Sequence, residues 1–146
     1  WNEELQSFVS SLGGKDLDAS LLMIAELGFL PAHDPRFLAT LHACEQHLRF
    51  GNHLYRYRTP DDFGEPETAF TACTFWLIDA LARAGRHADA RQIFEDVLSR
   101  RNHLGLLSEG LHVDTGELWG NFPQTYSMVG LIYAAMHLSR RWEDVL

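Results

Sequence analysis

Apolar residues return at helical spacing in five stretches of the chain, and no stretch alternates convincingly in the two-residue manner of a half-buried strand. The first, about Leu17 to Leu27, gathers Leu17, Leu21, Leu22, Ile24 and Ala25 and closes at Gly28. The second opens at Asp34-Pro35, an acidic N-cap followed by proline at the first helical position, and carries a stripe of Phe37, Leu41, Cys44 and Leu48. The third, about Glu67 to Ala84, is apolar on nearly every side and ends at Gly85. The fourth, about Ala88 to Arg101, sets Ile93, Phe94, Val97 and Leu98 against Arg91, Gln92, Glu95, Asp96 and Arg100. The fifth follows Pro123 and holds Met128, Val129, Leu131, Ile132, Ala134, Ala135 and Leu138.

The order of these segments carries more than any one of them. A helix that is apolar around most of its circumference needs neighbours on most sides, whereas an amphipathic one keeps a wet face. Segments one, three and five are of the first kind, and segments two and four of the second. The pattern predicts an all-α fold of inner and outer helices, an incomplete α/α barrel. Inner-to-outer links are short, Gly28 to Asp34 and Gly85 to His87; outer-to-inner links are long, Arg49 to Pro66 and Asn102 to Phe122. Antiparallel hairpins then place both long loops, together with the opening segment Trp1 to Asp16, at one end. Function concentrates on such loops.

Composition narrows the classes of partner. The chain has 146 residues, enough for one domain or part of one. Its formal net charge is −8, with no basic block longer than Arg100-Arg101 or Arg140-Arg141, which argues against nucleic acid and against an anionic membrane surface. The longest apolar run, Phe70 to Leu81, is broken by Thr71, Thr74 and Asp79 and is too short to span a bilayer. Cys44 and Cys73 fall in apolar helical patterns and read as buried free thiols, in keeping with a reducing, cytoplasmic compartment. The eight histidines have no metal-ligand spacing and no nucleotide-binding glycine motif occurs, so neither a metal nor another cofactor is expected. The chain begins at Trp1 with neither methionine nor leader, which reads as a cut inside a longer protein.

The long loops hold the candidate chemistry. Tyr55, Arg56, Tyr57, Arg58, Asp61, Asp62, Glu65 and Glu67 lie in or beside the first; Glu109, His112, Asp114, Glu117, Trp119, Asn121 and Gln124 lie in or just after the second. Aromatic faces stack on pyranose rings, arginine forks hydrogen-bond hydroxyls, and carboxylate pairs cut glycosidic bonds. Solvated loops are often acidic as well, so composition by itself leaves a sugar site and a plain polar surface both open.

Four stretches resemble bacterial members of glycoside hydrolase family 15, the glucoamylase and trehalase family. They are Leu17-Asp-Ala-Ser-Leu-Leu22, Tyr55-Arg-Tyr57, Glu67-Thr-Ala-Phe-Thr-Ala-Cys-Thr-Phe-Trp76, and Gly105-Leu-Leu-Ser-Glu109 followed by Gly120-Asn-Phe-Pro-Gln124. The resemblance covers essentially the whole chain in family order. It implies the C-terminal portion, residues 1–146, of an (α/α)6 barrel that hydrolyses α-glucosides with inversion, acting on an oligosaccharide or disaccharide. It places the general base at Glu109 and a sugar-binding arginine at Arg56, and leaves the general acid upstream of Trp1. Tyr57, Glu67, Trp119 and Tyr126 are further candidates for substrate contact, the two last as stacking platforms. The sequence departs from the family at Thr68, where glycine is frequent, at Gly110, where a polar residue is frequent, and at Met128, where histidine is frequent. A partial barrel exposes inner-helix faces, which implies an inactive fragment prone to self-association.

Plainer roles compete at several positions. Glu67 and Asp18 stand at predicted helix starts, where a carboxylate favours the helix dipole without any ligand. Arg56 has Asp61, Asp62 and Glu65 nearby as ordinary surface partners. Phe75 and Trp76 read as core. Gly85 to Phe94 resembles one turn and helix of a tetratricopeptide-type binding scaffold, although no second copy follows at the required period.

Overall fold

The computed structural model of the chain describes residues 1–62 and 64–139; the basic pair Arg140-Arg141 lies outside them. Four α-helices carry the fold: α1 (Pro35–Leu48), α2 (Thr71–Arg83), α3 (His87–Ser99) and α4 (Thr125–Leu138). A 3₁₀ helix, Ala19–Ile24, precedes them. The all-α expectation is corrected by five short strands: β1 (Arg49–Phe50), β2 (His53–Leu54), β3 (Thr68–Phe70), β4 (Gly110–His112) and β5 (Leu118–Trp119). β1 and β2 form an antiparallel hairpin, and β3-β4-β5 form a three-stranded antiparallel sheet. Strands of two or three residues are too short to display a period of two, so the hydrophobic pattern carries no trace of them.

α2 is the centre of the core. It packs against α3, α4 and the 3₁₀ helix, and Leu77, Ile78 and Leu81 are fully buried. Its start lies four residues later than the apolar pattern suggests, because Thr68, Ala69 and Phe70 pair with His112, Leu111 and Gly110 instead of coiling. The first segment is a 3₁₀ helix rather than an α-helix, and its buried residues Ala19 and Leu22 stand at the three-residue spacing of that geometry. α1 begins as expected, with Asp34 accepting from the Arg36 amide at 2.9 Å and Pro35 at the first turn, and it buries Phe37, Leu41, Cys44 and Leu48. α3 buries Ala90, Ile93, Phe94 and Val97, while Leu98 is only partly covered. The α2–α3 hairpin turns at Gly85, whose positive φ of 83° suits a residue without a side chain.

α4 departs from the inner-helix expectation in its surroundings. It is apolar all round, yet only Ser127, Ala134 and Leu138 are buried, and Val129, Ile132, Tyr133 and Met136 are exposed. α2 covers one side of it closely: a Cβ at Gly130 would stand 2.6 Å from the Phe75 ring.

The two long loops do meet at one end of the helices, since residues of both line the same cleft. The opening segment does not sit wholly there. Phe8 packs edge-on against Phe29 of the short link, with ring centroids 6.1 Å apart, whereas Asp16 accepts from the Thr59 hydroxyl in the first long loop at 3.4 Å. The segment is thus divided between the two ends, with Phe8 against the short link and Asp16 against the first long loop. Both cysteines are free and buried, and burial pushes the Cys44 thiol up to about 12 and raises that of Cys73 as well. Among the described residues no helix is long and apolar enough to cross a membrane.

Two of the departures from the family pattern turn out to be neighbours. A Cβ at Gly110 would stand 2.9 Å from the Thr68 hydroxyl and 3.2 Å from its Cβ, so the Thr68 side chain occupies the space that a side chain at 110 would need. Gly110→Ala is therefore expected to destabilise the protein by about 1–3 kcal/mol, the usual cost of forcing a methyl into packed structure. Thr68→Gly in the same molecule should recover most of that cost, making the double variant more stable than the sum of the two single changes. Urea unfolding of the four proteins in a double-mutant cycle measures this, and strict additivity would refute the steric coupling.

Candidate active site

The cleft between the long loops has a volume of about 550 Å³. Arg56, Tyr57, Asp61, Glu65 and Glu67 reach it from the first loop, Thr68 and Phe70 from β3, and Glu109 and Trp119 from the second loop and β5. Five of the six residues expected at the site are thus brought together. Tyr126 is the exception. It lies at the start of α4 in an adjoining, more apolar cleft of about 430 Å³ with Trp76, Val129 and Tyr133, and Arg56 and Phe70 form the wall that the two clefts share. Trp76, expected in the core, is half-buried and lines that second cleft, while Phe75 is buried.

Arg56 is fixed from behind. Its Nε donates to Asp18 at 3.2 Å and its carbonyl accepts from the Ala19 amide at 2.8 Å. Asp18 also caps the 3₁₀ helix by accepting from the Ser20 amide. Burial works to raise its pKa, but the bonds from Ser20 and Arg56 outweigh burial and leave it lowered. The Arg56 side chain is 54% exposed, so the pair contributes ~0–1 kcal/mol at most to stability, and its effect is to aim the guanidinium. Both plain roles weighed for these residues are present, Asp18 capping a helix and Arg56 holding an ion pair, although the partner of Arg56 is Asp18 rather than the nearby loop acids. Tyr57 donates its hydroxyl to Asp61 at 2.6 Å, and the accepting carboxylate holds the phenol above its usual range. Glu67 precedes β3 and stands four residues before α2, so it is not at the helix N-terminus; it faces the cleft instead.

Glu109 is held by the backbone on both sides. Its carbonyl accepts from the amide of Thr71, the first residue of α2, at 2.9 Å, and its own amide donates to the Asn121 carbonyl at 2.9 Å. Behind it, the Ser127 hydroxyl on α4 donates to the Ser108 carbonyl at 2.8 Å, with both serines fully buried. The carboxylate is bonded through one oxygen: Oε2 accepts from the Asn121 amide at 3.0 Å and from its side-chain Nδ2 at 2.9 Å. Oε1 has no hydrogen-bond partner among the described residues. The register of β4 and β5, Gly110 against Trp119, would set Glu109 opposite Gly120, yet Glu109 bonds to Asn121. Gly120 is the extra residue of a bulge, with φ at 80°, and a Cβ there would lie 2.8 Å from Glu109 Oε2.

Trp119 is 41% exposed, donates its indole N–H to Glu117 at 3.2 Å and tilts against His112, with centroids 5.1 Å apart. That leaves an anchored aromatic surface on the cleft. Three contributors escaped the sequence reading of the site: Thr68, Phe70 and the clamp formed by Asn121. The Gly120-Asn121 pair stands in a stretch already singled out, but its contact with Glu109 depends on a bulge that no local pattern announces. Chemically, the cleft offers one arginine, several carboxylates and aromatic surface, a set suited to binding hydroxyls and moving protons.

The profile of the family described as Glycosyl hydrolases family 15 matches residues 1–136. A trehalase of Thermoplasma volcanium is 41% identical over 139 residues, covering 94% of this chain and 22% of its own length. A trehalase of Mycobacterium tuberculosis is 36% identical over 140 residues, covering 94% of this chain and 21% of its own. The chain spans about a fifth of the length of these relatives. Among solved structures, a wild-type glycosidase superposes with a TM-score of 0.79 at 21% identity, over 91% of this chain and 38% of that one. A variant glycosidase in complex with glucose superposes equally well at 20% identity, with the same coverage of both chains. A family match over nearly all of the sequence, with relatives at this level of identity, leads to one conclusion: the chain belongs to glycoside hydrolase family 15.

Proposed function

We propose that this chain is the C-terminal, base-bearing portion of the catalytic domain of an inverting, trehalase-like α-glucosidase, with Glu109 as the general base. The observation that carries this reading is the convergence of Glu109, Arg56, Tyr57, Glu67 and Trp119, drawn from two loops far apart in sequence, on one cleft. A base has to present an oxygen to the attacking water, and Oε1 of Glu109 is the oxygen left without a protein partner among the described residues. Arg56, aimed by Asp18, binds hydroxyls of the sugar at the cleavage point, and Trp119 offers a stacking face. The alternation of short and long links supports a partial (α/α)6 toroid, whose general acid lies outside residues 1–146. In an inverting pair the two carboxyl groups stand roughly 6.5–9.5 Å apart so that water fits between them. Relatives named trehalases favour a disaccharide substrate, and trehalose ahead of starch ends.

In the whole enzyme, Glu109→Gln should lower turnover of trehalose by about 10²–10⁴-fold, the usual share of general acid–base catalysis, with a much smaller change in substrate binding. Inversion at trehalose requires that one glucose be released as the β anomer and the other as the α anomer, which proton NMR of the nascent products reads directly. Near-normal turnover by Glu109→Gln would remove the assignment and turn attention to Glu67.

Arg56→Ala should weaken ground-state and transition-state binding together, raising KM and lowering kcat/KM. Steady-state kinetics that show a loss in kcat alone would contradict its role in holding substrate.

The 146-residue chain by itself should show no turnover of trehalose, maltose or starch, and the exposed apolar face of α4 should drive it to self-associate. Measurable hydrolysis would refute the first statement, and a strictly monomeric sedimentation profile the second.

A further inference from the structure

From the way Glu109 is held, we infer that Asn121 is the positioning residue of the general base, fixing one carboxylate oxygen so that the other is the one presented to water. The inference rests on the reading of Glu109 as base. Two donors of one residue, the backbone amide and the side-chain Nδ2, converge on Oε2 at 3.0 and 2.9 Å. The same residue accepts the Glu109 amide through its carbonyl at 2.9 Å. Three hydrogen bonds from one neighbour fix the backbone and the head group of Glu109 at once, which removes rotation about its side-chain torsions as a source of misalignment. A second donor residue could reach Oε2 only by displacing one of these, and Oε1 shares none of them.

The bulge makes the arrangement possible. Gly120, directly after β5, shifts the pairing by one residue, so that Asn121 rather than Gly120 bonds to Glu109, and a Cβ on Gly120 would lie 2.8 Å from Oε2. Bulges beside active sites commonly re-aim a side chain in this way. Any side chain at position 120 would press on Glu109 Oε2 at 2.8 Å and on its Cβ at 3.0 Å, so the clamp needs glycine for space as well as for φ. The carboxyl group of Glu109 also shares its cleft with Asp61, Glu65, Glu67 and Arg56, and Arg56 is held by Asp18. None of these charges is altered by a change at Asn121.

The test uses the whole enzyme with trehalose, in three variants measured beside the wild type. Asn121→Ala removes only the Nδ2 donor, because both backbone bonds survive, and should lower kcat by about 10²-fold, the scale of a displaced catalytic group. KM should change less than about threefold. Asn121→Asp keeps the shape but puts a carboxylate where the Nδ2 donor was, 2.9 Å from Oε2. A like charge so close disfavours the ionised base, so the acid limb of the kcat profile should move up by about one pH unit or more. Glu109→Gln serves as the reference for the base itself. Loss of turnover in Glu109→Gln, with normal kcat in Asn121→Ala and an unmoved profile in Asn121→Asp, would overturn the positioning role and leave the base assignment standing. Normal turnover in Glu109→Gln would overturn both. A fall in kcat matched by an equal rise in KM, with the profile unmoved, is what general loosening of the loop produces, and it too would overturn the inference. Asn121→Asp is close to isosteric, so its profile decides the matter even if Asn121→Ala fails to fold.

Discussion

The amide of Thr71 donating to the carbonyl of Glu109 is the contact on which the site depends. The first amides of an α-helix have no partner within the helix and must be satisfied from outside. α2 has no side-chain cap, and its first amide is met by the backbone of the residue that also carries the candidate base. Since α2 is the most buried element of the core, Glu109 inherits the rigidity of that core without being a core residue itself. The β3–β4 pairing continues the same connection, so that strand, helix start and carboxylate behave as one unit. A site made of loop residues is in this way referred to a rigid frame, which proton transfer over hydrogen-bond distances demands.

Much of the frame was legible because helices advertise themselves over many residues. The stripe of α1, its Asp34-Pro35 start and the stops at Gly28 and Gly85 follow from side-chain period, capping and backbone freedom, and each survives in the structure within a few residues. The strands were not legible. Thr68-Ala-Phe70 reads as the beginning of a helix because nothing within it opposes coiling; its partner, Gly110-Leu-His112, lies forty residues away. Only a non-local pairing separates the two outcomes. The same limit explains the first segment, where leucines at spacings of three and four fit either kind of helix.

The site was legible by kind and not by geometry. Arg56, Tyr57, Glu67, Glu109 and Trp119 stood out as chemistry on long loops, and the resemblance assigned the roles of Glu109 and Arg56. The alternative in which Glu67 simply favours a helix dipole vanished once β3 separated it from α2. Tyr126 shows the opposite case: it neighbours the second loop in sequence, but on the first turn of α4 it lines the adjoining cleft instead. Asn121 was named among the polar residues of the second loop, but its hold on Glu109 was not legible, because it depends on the one-residue shift in pairing at Gly120.

Closure of the β4–β5 hairpin on itself separates two kinds of freedom. Its base is fixed by the bonds between Glu109 and Asn121, and its tip is closed locally, with the Gly116 amide donating to the His112 carbonyl and the His112 amide to that of Glu117. Residues between His112 and Glu117 can therefore be lengthened, shortened or replaced in the course of divergence at small entropic cost, since loop closure depends only weakly on length. The Glu109 carboxylate stays where it is while the rim beside His112 and Trp119 is rebuilt. A hairpin fixed at its base in this way lets a lineage rework one wall of the cleft without disturbing the carboxylate that Asn121 holds.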